Sequence, residues 1–172
     1  MTVEISDDTR EEYGDIYGTM QHISDVIETL YMQAGVELPP RQFTAVGDTA
    51  SAISWDCEQV TINFVTAYYG SPGQPLTVAT GCLPLMSADF VVQVVRCVPG
   101  METTRNNTKV KLPSIADIEA STLIQAIDSQ ILLQSALTLD SAEPVLATVA
   151  PSGVEGGHQA VAMNLSISLF RS

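Results

Sequence analysis

The stretch from Val161 to Leu169 constrains this chain more than any other. Val161, Met163, Leu165, Ile167 and Leu169 alternate strictly with Ala162, Asn164, Ser166 and Ser168. Side chains on a strand point to opposite faces in turn, so this pattern predicts a strand with one buried face and one tolerant face. A sheet whose faces differ must be covered on one side, and the cover has to come from elsewhere in the chain.

Two segments supply it. From Glu11 to Ala34, the residues Ile16, Met20, Ile23, Ile27, Leu30, Tyr31 and Ala34 fall at steps of three and four, with Gly35 placed to end the helix. A second helical pattern runs to about Leu139, opened by Ser114 and Asp117 at capping spacing. Its buried stripe is expected to be Ala116, Ala120, Leu123, Ile124, Ile127, Ile131 and Leu137. Strands are expected at Arg41–Val46, along Trp55–Tyr69, at Ala88–Val98 and from Pro144 to Val149. The valine-rich run at Ala88–Val98 reads as central in the sheet. Gly70–Pro75, Pro99–Pro113 and Pro151–Gly157 read as turns or loops.

The element order is then helix, three strands, helix, two strands. Strands that follow one another in groups favour an α+β fold, a mostly antiparallel sheet of about five strands packed by two long helices. At 172 residues one domain suffices, over residues 13–172, preceded by an acidic arm over residues 1–12. The acidic start and the lack of a long apolar run predict a soluble protein made in a cytoplasm.

The candidates for chemistry are few. His22 falls on the flank of the first helix and His158 at a turn, so both read as solvated. Cys57, Cys82 and Cys97 have no zinc spacing, and no glycine motif precedes a helix to cradle phosphate. Their odd number excludes a complete disulfide framework. Buried free thiols are expected, with one bridge, such as Cys82 to Cys97, as the alternative. Asp56 and Glu58 fall on one side of the expected second strand and form an acid pair or a cation site if they are not simply solvated. No metal, no cofactor and no catalytic residue is expected, and the chain reads as a structural protein, not an enzyme.

Charge and polarity point to assembly instead. The net charge is −13, and eight of the twenty acidic residues precede residue 29. Four of the seven basic residues, Arg96, Arg105, Lys109 and Lys111, fall in one stretch read mainly as loop. A basic loop and an acidic helix in one chain suit head-to-tail contact between copies. The outer face of the second helix, with Ile115, Ile118, Leu132 and Leu133, carries little charge and reads as facing a neighbour. Those eight residues are the expected subunit interface.

Three segments carry a resemblance to a known family. Trp55–Val60 (WDCEQV), Asp89–Cys97 (DFVVQVVRC) and Gly156–Leu165 (GGHQAVAMNL) resemble tail terminators, neck proteins of long-tailed siphophages that infect actinobacteria. The likeness runs from about residue 16 to 169. It implies a terminator-like fold and a ring, usually a hexamer, in the virion. That ring caps the tail tube protein and joins it to the head–tail connector proteins, while DNA passes through its lumen without specific binding. The alternatives are another neck or minor tail protein and, in a different class, a small-molecule or cation-binding module at Asp56 and Glu58.

Overall fold

The computed structural model describes residues 7–47, 58–76, 86–98, 102–103, 110–140, 145–153 and 157–169. Helix α1 spans Asp7–Ala34 and helix α2 spans Ile115–Asp140. The strands are β1 Arg41–Val46, β2 Gln59–Ser71, β3 Gln74–Pro75, β4 Met86–Cys97, β5 Glu102–Thr103, β6 Val110–Lys111, β7 Val145–Pro151 and β8 His158–Ser168. The chain is α+β, with an open six-stranded sheet ordered β1-β2-β4-β8-β7 and β3 attached to β2. The expected antiparallel character holds for β2/β4, β4/β8 and β8/β7, whereas β1 runs parallel to β2. The sheet is therefore mixed. β4 lies in the middle of the order, as its valine-rich sequence predicts.

Register explains the core. Val60, Val94 and Val161 stand side by side across β2, β4 and β8, as do Ile62, Val92 and Met163, then Phe64, Phe90 and Leu165. Because neighbours in register share a face, these rows form one apolar surface. Met20, Ile23, Ile27 and Tyr31 of α1, with Ile131, Leu132, Ala136 and Leu139 of α2, close over it. α1 contacts β2, α2 lies over β7 and β8, and the two helices touch each other. Phe64 and Phe90 meet at 5.9 Å with tilted rings, a favoured aromatic geometry.

Local chemistry fixes the helix ends. Gly35 has φ of 65°, a left-handed conformation that suits glycine. Its N–H donates to the Met32 carbonyl, and the Val36 N–H donates to that of Tyr31. This paired Schellman arrangement satisfies carbonyls that the helix leaves open. At the start of α2, the Ser114 hydroxyl accepts from the Asp117 N–H at 3.1 Å, while the Asp117 carboxylate accepts from the Ser114 N–H at 3.0 Å. The expected capping pair is thus formed.

Two expectations change. α1 already includes Asp7–Glu12, which the sequence assigned to an arm; residues 1–6 lie outside the described residues. The stretch read as loop over Pro99–Pro113 contains a short ribbon, in which Glu102 pairs with Lys111 and Thr103 with Val110. Among the described residues, no helix is long and apolar enough to cross a membrane.

Phe90 is 1% exposed at the centre of the helix-covered face. Phe90→Ala is expected to lower stability by about 3–5 kcal/mol, the usual cost of emptying an aromatic site in a core. Chemical denaturation checks this, and a loss below about 1 kcal/mol would mean that the face is not tightly packed.

Candidate functional site

A charged centre sits beneath the helices. Arg96 lies on β4 with the parity of Val94 and Val92, so its side chain enters the helix-covered face, where it is 8% exposed. Asp128 of α2, 1% exposed, meets it there. Arg96 Nε donates to Asp128 Oδ2 and its Nη2 to Oδ1, both at 3.0 Å. This two-pronged contact is the strongest geometry between arginine and a carboxylate. The remaining guanidinium donors reach Glu58 Oε2 at 3.0 Å and the Glu37 carbonyl at 3.1 Å. The Tyr31 hydroxyl donates to Asp128 Oδ1 at 2.6 Å, and its ring lies 5.8 Å below the guanidinium carbon. One arginine therefore ties α1, α2, β4 and the entry to β2 together.

The electrostatics fit a permanent structural pair. Burial pushes the Tyr31 phenol far above its usual range, and the adjacent Asp128 charge adds to the rise. For Arg96, burial acts to lower the guanidinium, but the hydrogen bonds and charge of Asp128, then Glu58, reverse this and hold it above its usual value. Glu58 has φ of 63°, a conformation uncommon outside glycine. That turn carries its second carboxylate oxygen to the Cys97 N–H at 3.2 Å. Glu58 therefore precedes the strand instead of lying on it, and both its oxygens already accept hydrogen bonds. This geometry counts against the alternative of a cation site at Asp56 and Glu58; Asp56 lies outside the described residues.

The expected interface residues separate into distinct places. Arg96 is not in a loop or on the surface, because its charge is committed to Asp128. Leu132 is fully buried, and the stripe expected from Leu123 to Leu137 is rotated, with Leu123 62% and Leu137 66% exposed. Of the expected stripe Ile131 is buried and Ile127 packs against the core, and the inward side is completed by Asp128, Leu132, Ser135, Ala136 and Leu139. A hydrophobicity wheel turns Asp128 outward, whereas its pairing with Arg96 draws it in. Ile115, Ile118 and Leu133 do stand exposed on the outer side of α2. Lys111 lies in β6, while Arg105 and Lys109 fall outside the described residues. His22 is exposed, and His158 opens β8.

Two further observations bear on chemistry. Cys97 is disulfide-bonded, so the expectation of free thiols fails for this residue; Cys57 and Cys82 lie outside the described residues. On the sheet face away from the helices, Gln59 Oε1, Thr61 Oγ1 and both amide atoms of Asn63 are buried and make no hydrogen bond. Among the described residues, no group of three or more His, Cys, Asp or Glu residues is placed to hold a metal ion.

No known protein family matches the chain, and no curated protein matches it.

Asp128→Ala leaves a buried arginine without its carboxylate and is expected to cost about 3–5 kcal/mol. Pairing that change with Arg96→Met is expected to recover part of the loss, because no uncompensated charge remains. A double variant as unstable as the sum of both singles would contradict this account. Thiol titration in denaturant gives a separate check: the bridge at Cys97 predicts one reactive thiol before reduction and three after it, from the three cysteines of the chain.

Proposed function

We propose that this chain is a structural virion protein of a long-tailed phage. In this reading its copies form a ring, a hexamer, that terminates the tail tube and joins it to the head-side connector. The observation that carries the reading is the outer side of α2. Ile115, Ile118, Leu123, Leu133 and Leu137 are each at least half exposed there, on a chain with a net charge of −13. A lone protein this acidic has ample charge to place on such a helix, yet between Ile115 and Leu137 the exposed charges are only Asp117, in the cap, and Glu119. A mostly apolar side is what a neighbouring copy would cover.

Three other features support the reading. The resemblance of the segments at residues 55–60, 89–97 and 156–165 is to tail terminators. The net acidity repels nucleic acid, which suits a conduit that DNA must pass without sticking. The bridge at Cys97 suits a particle that works outside the reducing cytosol.

Light scattering coupled to size exclusion tests it. A hexamer of the 18.4 kDa chain has a mass of about 110 kDa. Electron microscopy with purified tail tube protein is expected to show a ring seated on one end of each tube. A strict monomer that leaves every tube end bare would overturn the proposal.

A further inference from the structure

We propose that copies of this chain join through the edges of their sheets, β7 of one copy pairing antiparallel with β1 of the next, so that a single sheet runs from subunit to subunit. The inference rests on the ring-forming reading above and names the contact that would build it.

The sheet ends on two edges that no described strand covers. β1 pairs only with β2 and β7 only with β8. The hydrogen bonds at their ends fix which groups point outward. The Gly47 N–H donates to the Phe64 carbonyl, so by alternation Phe43 and Ala45 bond inward to β2. The peptide groups of Gln42, Thr44 and Val46 then point away from the sheet. At the other edge the Ser152 N–H donates to the Ala160 carbonyl, which makes Ala150, Thr148 and Leu146 the inward-bonding positions. The peptide groups of Ala147 and Val149 point outward there. Pro151 shares their phase and so lies where a missing N–H costs β8 nothing.

Among the described residues the middles of both edge strands lack the usual protection, although Arg41 opens β1 and Pro151 closes β7. Solitary edges are commonly blunted by lysine, by an inward charge or by a central proline. Between Gln42 and Val46, and between Leu146 and Ala150, there is no charged residue and no proline.

The two edges are also compatible in direction. β1 runs with β2, β4 against them, β8 with them and β7 against them. Placing a second copy beside the first in the same orientation therefore sets β7 against β1 as an antiparallel pair, the more stable arrangement. A contact between two different surfaces of one chain is heterologous, and such contacts close into rings when the rotation allows.

The surfaces flanking the edges match in character. Beside β7, α2 turns Ile118 and Leu133 away from α1, and Gln125 on the same flank bonds the carbonyls of Ser152 and Ala160. Beside β1, the flank of α1 that carries Gln21 and Ser24 also exposes Tyr17 and Met32, with Glu28 between them. Between that flank and β1 lies a cleft of about 180 Å³, bordered by Gln21, Ser24, Gln42 and Thr44. It is open to an aliphatic side chain from the neighbour's α2. The 26 residues of α2 span about 39 Å at 1.5 Å each, and helix and sheet together are about 20 Å deep. A strip of those dimensions offers at most about 800 Å² per subunit, which reaches the size of a standard specific interface only if the helix flanks pack along with the strands.

The test uses two proline substitutions at outward-pointing positions, Val149→Pro in β7 and Thr44→Pro in β1. Each variant alone is expected to melt cooperatively and to remain a monomer. Mixed in equal amounts they are expected to form a dimer of about 37 kDa, twice the 18.4 kDa chain, through the one edge each retains. A folded variant that still assembles like the parent overturns edge pairing and leaves the ring reading standing. A parent chain that is monomeric, with tubes and without, overturns both. Should either variant fail to fold, hydrogen exchange on the assembled parent decides the matter. The amides of Thr44 and Val149 are expected to be protected in the assembly, and rapid exchange there overturns the proposal.

Discussion

The bond between Arg96 and Asp128 holds the rest of this structure in its arrangement. Arg96 reaches from the middle strand into the helical layer, and Asp128 reaches down from α2 to receive it. Tyr31 brings α1 to the same carboxylate, and Glu58 brings the entry to β2 to the same guanidinium. A purely apolar interface would let helices rotate or slide with modest loss, since hydrophobic contact has little direction. Here the rotation of α2 is set by two directed hydrogen bonds, and its outward surface follows from them. The residues that α2 leaves exposed are thus chosen by a contact on the opposite side of the helix.

This dependence also explains what could be read from sequence and what could not. The strict alternation at Val161–Leu169 predicts β8 and its buried face, because a period of two has no competing interpretation over that length. The stripe from Met20 to Tyr31 and the glycine after it predict α1 and its end for similar reasons. The central place of β4 follows from the run Phe90–Val95, apolar on both faces except at Gln93. The rotation of α2 was not legible. Hydropathy turns a lone aspartate toward water, and the arginine that draws Asp128 inward lies 32 residues away in sequence. Arg96 was misplaced for the same reason: its charge grouped it with Arg105, Lys109 and Lys111, although its strand parity grouped it with Val94.

Other misreadings have local causes. The parallel pairing of β1 left no mark, since Gln42–Val46 is polar and apolar in nearly equal measure and its face is set by where the chain returns. Glu58 looked like a strand residue beside Asp56, whereas its left-handed turn serves Arg96 and the Cys97 amide. The bridge at Cys97 was one of two options that cysteine counting left open. In the candidate interface, Ile115, Ile118 and Leu133 were legible because an exposed apolar residue on an acidic chain stands out. Leu132 differs from Leu133 by a single step of about 100°, and only the inward turn of Asp128 separates them.

The parallel step at β1 has a consequence for symmetry. Five strands that alternated throughout would begin and end in the same direction, so that copies laid side by side would meet as parallel neighbours. One parallel step among the five changes that parity, and the first and last strands of the path oppose each other. The sheet thereby acquires a polarity of the kind found in a repeating tile, each end the directional complement of the other. A two-fold partner would bring like edges together and leave the unlike edges bare, whereas a rotational series leaves no edge over. In the proposed edge pairing, a short strand at the margin of the fold is thus what would favour closed cyclic order over simple pairs.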